Sequence, residues 1–502
     1  MTMKFWKKYH KWAGIILSVM LLLFALSGIA LNHRSLISKV NISRNYLPSS
    51  YSYNNWNSAA LRGSVELDST TTLFYGNVGC WKYNHDTNLW SDFNDGFPVG
   101  IDNRKISKLF KTDNNRLFAG TLFGLYEYIN NKWVYIEIEP EHKRICDIIS
   151  KGDTLLVLTR SELGMLPLKN PNSDIAFSYL PAPENHKQQT SLFKTLWVLH
   201  SGEIIGTTGQ LLVDAIALLF IFFSITGLVW YIWPKLIKRA KKKLNPIQNK
   251  QKLFRFSVKW HNKLGILTVV LLIFTTITGM FLRPPLLIAI ASTQIKSIPN
   301  TMLSTSNAWY DQLRAIRYNE KYSVYLVSTN KGFYALTKNK TKMITIPVQA
   351  PVSVMGINVF EALDDEKYLI GSFNGMYEWQ PFESKVYNYF SGKEHRSSNK
   401  MSRPIGDNMV TAYYERANNQ YYIDYGGGAT QLKGNLGFPV MPDLIKKNAP
   451  ISLWNLSLEI HTGRIFQDFL GSFYILIVPL VGLATLILLI SGAWLWWKRY
   501  KL

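Results

Sequence analysis

The sequence lacks several features that would point to common classes of enzyme. It has only two cysteines, Cys80 and Cys146, and no C-x-x-C-H motif, which excludes covalently attached c-type haem. Its two large polar segments show no phosphate-binding glycine loop, no H-E-x-x-H motif and no G-x-S-x-G nucleophile elbow, so there is no hydrolase signal. A disulfide between the two cysteines is compatible with the sequence but is not required by it.

Acidic residues are also scarce. The chain has 33 Asp and Glu against 56 Lys and Arg, a net charge of +23. The excess is concentrated: residues 1–11 and 234–263 carry many cations and no acid, and the tail ends KRYKL. Basic segments that flank apolar runs stay in the cytoplasm. We therefore expect this charge to contact anionic membrane lipids, and we expect no nucleic-acid partner.

Four apolar runs are long enough to cross a bilayer, which takes about 20 residues. They are residues 12–31, 211–233, 264–282 and 473–497. The first run is long for a signal peptide and has no clean cleavage site after it, so we interpret it as a span. The basic segments place both termini and the central link inside, and both large polar segments outside.

The predicted organisation has seven parts. They are a first span with a cytoplasmic N-terminus (1–33), a periplasmic β-rich segment (34–196), a second span (197–233), a basic cytoplasmic link (234–259), a third span (260–283), a second periplasmic β-rich segment (284–456) and a fourth span with a cytoplasmic C-terminus (457–502).

The chain is an internal duplication. A shift of 251 residues places His10 on His261 and KYHKWAGI on KWHNKLGI. A shift of 261 places His200 on His461 and LHSGEIIG on IHTGRIFQ. Each half is therefore a span, an outer segment and a second span.

The outer segments contain repeated hairpin patterns, in which an apolar strand and an apolar-aromatic strand flank a turn with Gly or Asn. The clearest are LFAGTLFGLYEYINNKW, YLIGSFNGMYEWQPFESKVYNY and VYLVSTNKGFYALTKNK; LFYGNVGCWKYNHDTNLW, LLVLTRSELGMLPL and YYIDYGGGATQLKG are weaker. Three units in each segment predict one propeller-like domain of six units. Two separate β-rich domains are the alternative.

Five of the nine histidines lie at or near the ends of spans: His10, His33, His200, His261 and His461. One such histidine would usually be a polar anchor at the interface. Duplicated histidines on facing helices instead favour bis-imidazole ligation of haem iron, in which two neutral rings bind one iron from opposite faces.

A Ser-Gly or Thr-Gly pair occurs in every span, ending in Gly28, Gly227, Gly279 and Gly492. A flat macrocycle between helices needs residues without bulk, although glycines also allow close helix packing. The paired histidines and these glycines together predict two b-type haems. The inner haem is held by His10 and His261 beside Gly227 and Gly492, and the outer haem by His200 and His461 beside Gly28 and Gly279.

The outer site leaves alternatives for its ligands open. On a straight helix, the eleven residues from His200 to Leu211 would put the imidazole roughly 16 Å outside the apolar run. His33 could instead be an outer ligand, bind a substrate metal or cap its span. Asp214, an acid inside the second span, is a candidate for proton transfer or quinone contact, or for pairing with a basic residue near the outer interface such as Arg283.

The H-x-x-x-G elements KYHKWAG and KWHNKLG, and the H-[ST]-G element LHSGEIIG with its following span TGLVWYIWPK, resemble the PepSY-associated transmembrane helix proteins of bacterial inner membranes. Members include ferric-siderophore reductases, which hold haem between four helices and reduce periplasmic iron. The resemblance covers the four spans and implies that His10, His200, His261 and His461 are haem ligands. The chain differs from the family in its outer segments, which carry propeller-like repeats where PepSY domains would be expected.

The leading hypothesis is therefore a haem-containing inner-membrane reductase that passes electrons to ferric iron, held as a siderophore or another chelate in the β-rich domain or near His33. A non-redox receptor or accessory protein whose outer domain binds a ligand or partner is the alternative, and a transporter is a third class. The sequence has no Rossmann or flavin motif, so the electron donor would be a quinol or a separate cytoplasmic protein.

Overall fold

The structure is a computed structural model that describes residues 3–140, 142–169, 174–184, 186–244, 246–395 and 406–500. Lys501 of the predicted basic tail lies outside these residues. The chain folds into two compact units. The helical unit comprises Met1–Ile37, Gln188–Thr305 and Leu453–Leu502, and the β-rich unit comprises Ser38–Lys187 and Ser306–Ser452.

The described residues form ten α-helices. They are α1 (Met3–Asn32), α2 (Arg34–Ile37), α3 (Leu192–Ser201), α4 (Gly206–Lys242), α5 (Gln248–Met280), α6 (Leu286–Ile290), α7 (Asp443–Asn448), α8 (Leu453–His461), α9 (Gln467–Leu470) and α10 (Ile477–Tyr500).

Four of these helices, α1, α4, α5 and α10, lie in segments long and apolar enough to cross a membrane, which confirms the four predicted spans. Helices α1 and α5 each pack against both α4 and α10. The four helices therefore form a ring in which α1 and α5 are diagonal neighbours. The fourth predicted span begins before its helix, because Gly471–Leu476 forms 3-10 turns ahead of α10.

The described residues form 27 strands. They are β1 (Asn41–Ile42); β2 (Gly63–Glu66), β3 (Thr71–Gly76), β4 (Gly79–Asn84) and β5 (Leu89–Asp92); β6 (Ile106–Lys111), β7 (Leu117–Thr121), β8 (Leu125–Ile129) and β9 (Lys132–Ile136); β10 (Ile145–Lys151), β11 (Thr154–Thr159), β12 (Leu163–Pro167) and β13 (Ala176–Ser178); β14 (Gln189–Ser191) and β15 (Gln294–Lys296); β16 (Leu313–Asn319), β17 (Val324–Thr329), β18 (Gly332–Thr337) and β19 (Met343–Thr345); β20 (Ile357–Ala362), β21 (Tyr368–Ser372), β22 (Gly375–Gln380) and β23 (Lys385–Asn388); β24 (Val410–Arg416), β25 (Asn419–Asp424) and β26 (Gly428–Lys433); and β27 (Ile451–Ser452).

Six antiparallel sheets form the blades of a propeller. Blades 1, 2 and 3 are β2–β5, β6–β9 and β10–β13, and blades 4, 5 and 6 are β16–β19, β20–β23 and β24–β26. The first strand of each blade contacts the first strands of the blades on both sides, and β2 of blade 1 meets β24 of blade 6. The ring is therefore closed, and the two outer segments build one domain. The six hairpin patterns in the sequence correspond to the six blades.

Apolar contacts between successive blades hold the propeller together. For example, Phe74 and Trp81 of blade 1 pack with Tyr414 and Ile423 of blade 6, and the other five junctions have similar buried clusters. The second strand of a blade is covered on both faces, as in β7, where all five residues are buried. This explains why those strands appear in the sequence as continuous apolar runs.

Candidate functional site

The first histidine pair joins the two diagonal helices of the ring. His10 lies near the start of α1 and His261 lies in α5. Their ring centroids are 6.4 Å apart and the ring planes are at 88°. The structure thus brings together the two residues that were predicted to form one site.

Each imidazole of this pair is held through its Nδ1 atom. In His10, Nδ1 donates to the carbonyl oxygen of Leu488 at 3.1 Å and to the hydroxyl of Ser491 at 3.0 Å. In His261, Nδ1 lies 2.8 Å from the hydroxyl of Thr226, which itself donates to a carbonyl of its own helix at 2.7 Å and so accepts from the ring. With the proton on Nδ1, Nε2 keeps a lone pair that can bind a metal.

The second pair depends on two chain reversals. Helix α3 ends at Ser201, and Gly202 adopts a left-handed conformation with φ 82°. A Cβ on Gly202 would lie 2.1 Å from the carbonyl oxygen of Gly209, so only glycine allows α3 to fold back against α4. The straight-helix assumption was therefore wrong: His200 contacts Gly279 of α5 instead of extending beyond the bundle.

The copy of this reversal follows α8. Gly463, two residues after His461, is also left-handed, with φ 74°. The reversal lets His461 reach α1, where its Nδ1 donates to the carbonyl of Phe24 at 3.0 Å and to the hydroxyl of Ser27 at 3.1 Å.

His200 and His461 face each other as the first pair does. In His200, Nδ1 donates to the carbonyl of Thr275 at 3.1 Å and to the hydroxyl of Thr278 at 3.3 Å. The ring centroids of the pair are 6.0 Å apart and the planes are at 49°. In both rings the carbonyl contact puts the proton on Nδ1 and leaves Nε2 available.

Each of the four rings also packs against a glycine. A Cβ would lie 2.9 Å from His10 Cε1 at Gly492, 3.9 Å from His261 Cε1 at Gly227, 2.6 Å from His200 Cε1 at Gly279 and 3.2 Å from His461 Cε1 at Gly28. The sequence prediction grouped the same histidines and glycines, but gave room for a macrocycle as the reason. In the structure, what the glycines accommodate is the imidazole of a neighbouring element.

The residue before each glycine carries the hydroxyl that holds the ring: Ser27, Thr226, Thr278 and Ser491. Sequence reasoning noted the Ser-Gly and Thr-Gly pairs without assigning the hydroxyls a role. Their signal was the recurrence of a hydroxyl directly before every one of the four glycines.

The separation of the rings in both pairs is compatible with two imidazoles on opposite faces of one metal. A metal–imidazole bond is about 2 Å and the ring centroid lies roughly 1.2 Å beyond the nitrogen, so two rings on opposite faces of one metal have centroids roughly 6.4 Å apart. The observed separations are 6.4 and 6.0 Å. Among the described residues, no group of three or more His, Cys, Asp or Glu could hold a metal ion. Haem iron needs only two axial ligands from the protein, so a pair is sufficient.

His33 belongs to a separate cluster. Its Nε2 is 2.6 Å from Asp214 Oδ2, and the amide of Asn32 donates to Asp214 Oδ1 at 3.0 Å. This carboxylate of α4 is nearly buried, with 12% of its side chain exposed. Asp214 thus pairs with His33 and Asn32, and not with Arg283, which was one of the alternatives open from the sequence. His33 is in neither histidine pair.

The two cysteines are free. Cys80 is in β4 of blade 1 and Cys146 is in β10 of blade 3, so the sheets keep them apart. Burial raises the pKa of the Cys80 thiol well above its usual value, and this side chain serves as an apolar core residue.

Charged side chains from the first strands of the blades meet inside the propeller. Arg317 donates to Asp147 at 2.6 Å, and Lys108 contacts Glu361 at 3.3 Å. Burial raises the pKa of Glu361, but Lys108 and Arg317 outweigh it and hold the pKa below its usual value. Lys108 and Glu361 also line a cavity of about 430 Å³, together with Glu66 and other residues.

The model of one protein family matches almost the whole chain. This is the PepSY-associated TM region, which matches residues 2–232 and again residues 169–499. No curated protein matches the chain.

Solved structures resemble the chain only distantly. An extracellular domain of a hybrid two-component system of B. thetaiotaomicron shares 11% identity and a TM-score of 0.37; the alignment covers 74% of this chain and 32% of that one. The WD40 β-propeller domain of Doa1 shares 6% identity and a TM-score of 0.32, over 80% of this chain and 99% of that one. This chain thus covers about a third of the length of the first of these structures. The propeller assignment rests on the strand pairing of the chain itself.

Proposed function

The chain belongs to the PepSY-associated TM region family, and from this premise we propose that it is a haem-containing oxidoreductase of the bacterial inner membrane. In this proposal it passes electrons across the membrane to periplasmic ferric iron, held as a siderophore or another chelate. The observation that carries the proposal is the shared design of the two histidine pairs. In each pair, two Nδ1 atoms are fixed by hydrogen bonds and two Nε2 atoms are left for a common ligand.

A b-type haem in each pair would supply one-electron chemistry. The protein would supply the histidine ligands and fix their tautomer and orientation. Hydrogen bonds at Nδ1 fix the tautomer and the ring orientation, and they make the opposite nitrogen a better electron donor. The glycines let the rings sit close to the helices, so the four imidazoles are held in place before any ligand binds.

The spacing of the two pairs supports transfer across a bilayer. Helix α1 carries His10 and, 18 residues later, Gly28, which packs against His461. At 1.5 Å per residue, roughly 27 Å of helix separates the two sites, close to the hydrocarbon thickness of about 30 Å. The basic segments support a cytoplasmic location for the His10–His261 end.

The donor and the acceptor are proposed by chemical class. Since the sequence carries no nucleotide or flavin motif, the donor is a quinol or a cytoplasmic protein. The acceptor is a ferric chelate, and the propeller cavity, which has both lysines and glutamates in its wall, is a candidate site for it.

That cavity also favours one alternative, a non-redox receptor whose propeller binds a ligand. Under this alternative the paired histidines would be structural. The two functions differ in one property that is easily measured, the haem content of the purified protein.

The test is a visible spectrum of purified protein, oxidised and then reduced with dithionite, with a pyridine haemochrome count of haem per chain. We expect about two b-type haems with sharp reduced bands, and reoxidation of the reduced protein by a ferric chelate. Protein that is colourless and stays empty when haem is supplied would rule out the reductase and favour the receptor.

A further inference from the structure

A groove runs between α5 and α10 at the end of the bundle that carries the His10–His261 pair. Its volume is about 430 Å³. Four cationic side chains line it: Arg255, Lys259 and Lys263 from α5, and Arg499 from α10. No Asp or Glu is among the described residues of its wall.

The three cations of α5 follow one another at four-residue intervals, which places them on one face of the helix. Like charges at this spacing repel each other and destabilise a helix. All three side chains are exposed, and residues 234–263 contain no acid that could offset them locally. An anion from outside the chain would relieve this repulsion.

Apart from Asn262, the rest of the groove wall is apolar. Phe254, Val258 and Ile266 of α5 and Trp496 of α10 contribute to its wall. The amide of Asn262 donates to the carbonyl of Val258 at 2.9 Å and so satisfies its own helix. A free phosphate would leave this apolar surface uncovered, whereas a phospholipid would place its phosphate among the cations and its glycerol and acyl chains on the apolar wall.

We propose that this groove is a binding site for an anionic phospholipid, with Arg255, Lys259, Lys263 and Arg499 around the headgroup phosphate. Basic pockets between membrane helices bind lipid headgroups elsewhere. Three of these four cations lie on the same helix as His261, so a bound lipid would also fix the end of α5 that carries one member of the histidine pair.

The experiment compares lipids on purified full-length protein in detergent. Phosphatidylglycerol, phosphatidylcholine and inorganic phosphate are titrated separately, and bound lipid is counted by native mass spectrometry while thermal unfolding is followed in parallel. We expect phosphatidylglycerol to be retained at one or two molecules per chain and to raise the melting temperature. Phosphatidylcholine and inorganic phosphate should do neither.

The groove variant replaces Arg255, Lys259 and Lys263 by Gln. Since each cation near an anionic surface changes binding by about fivefold, the variant should retain phosphatidylglycerol at least about tenfold more weakly.

The matched control replaces Lys241, Lys242 and Lys243 by Gln. These residues are exposed at the end of α4 and do not line the groove. Their substitution removes three positive charges, the same number as in the groove variant. The control should retain groove-bound phosphatidylglycerol like the unmodified protein.

Three results would overturn the proposal: equal loss in the groove variant and the control, equal retention of phosphatidylcholine, or an equal effect of inorganic phosphate. Stabilisation by a soluble polyanion such as poly-glutamate, without any lipid preference, would point to an acidic protein partner instead. If the groove variant does not fold, the preference of the unmodified protein for phosphatidylglycerol over phosphatidylcholine still decides the question. None of these readouts depends on haem.

Discussion

The His10–His261 and His200–His461 pairs are held by the same pattern of hydrogen bonds but lie on different kinds of helix. In both pairs, each ring has its Nδ1 fixed by a hydroxyl from the residue before a glycine. The first pair lies on two continuous membrane helices. The second lies on the short helices α3 and α8, which reach the bundle through left-handed glycines.

The pairs also differ in how firmly their rings are held. Three of the four rings donate both to a carbonyl and to a hydroxyl, whereas among the described residues the hydrogen-bond partner of His261 Nδ1 is the Thr226 hydroxyl alone. The tightest glycine contact is at His200 and the loosest at His261. The duplicated copies therefore share the hydroxyl–Nδ1 hydrogen bond and the following glycine. The closeness of each contact differs with local packing.

The largest effect should come from removing one of the proposed haem ligands. We expect His10→Ala to remove one haem per chain and leave the second site loaded, and His200→Ala to do the reverse. The haemochrome count and the reduced spectrum measure both. His186→Ala, an exposed position, is the control and should keep both haems. Equal loss of both haems from either variant, in protein shown to be inserted in the membrane, would contradict two separate sites.

The second effect tests the glycine contacts. Gly279→Ala would place a Cβ 2.6 Å from His200 Cε1, and Gly227→Ala would place one 3.9 Å from His261 Cε1. Overpacking costs about 1–3 kcal/mol, so Gly279→Ala should weaken haem binding at the second pair by roughly tenfold or more. Gly227→Ala should bind haem normally. Equal behaviour of the two variants in a haem titration would show that the rings are free to move.

The third effect separates the two rings of the first pair. Thr226→Val removes the hydroxyl on which His261 depends, whereas Ser491→Ala leaves His10 its carbonyl partner. Loss of a hydrogen bond to a ligating histidine costs about 10- to 100-fold in affinity. We expect Thr226→Val to lower haem affinity by an amount in that range, and Ser491→Ala to lower it by less. A larger loss in the serine variant would contradict this ranking.

The smallest effect concerns the His33–Asp214 cluster, which is distinct from both pairs. Asp214→Ala would leave His33 and Asn32 without a buried partner, at a cost of about 1–3 kcal/mol in stability. We expect a lower melting temperature with the haem count unchanged. Loss of haem from the second site in this variant would return His33 to the list of ligands.

Much of this organisation follows from the sequence, because it depends on local pattern. The length of the apolar runs indicated the four spans, and period-two hairpins separated by turns indicated the six blades. The charge distribution predicts an orientation in the membrane, and that orientation stays a prediction. The repeat related His10 to His261 and His200 to His461. The H-[ST]-G element also contained the signal for the chain reversals, since a glycine shortly after a helix commonly marks its end.

Tertiary structure decided what depends on residues far apart in the chain. Ring closure of the propeller brings β2 against β24, although two membrane helices lie between them in sequence. The pairing of Asp214 with His33 rather than Arg283 follows from α1 packing beside α4. The hydroxyl partner of each ring lies on another element, fixed by helix packing and by the positive φ of Gly202 and Gly463. Local patterns specify which residues are available, and long-range packing in three dimensions selects which of them meet.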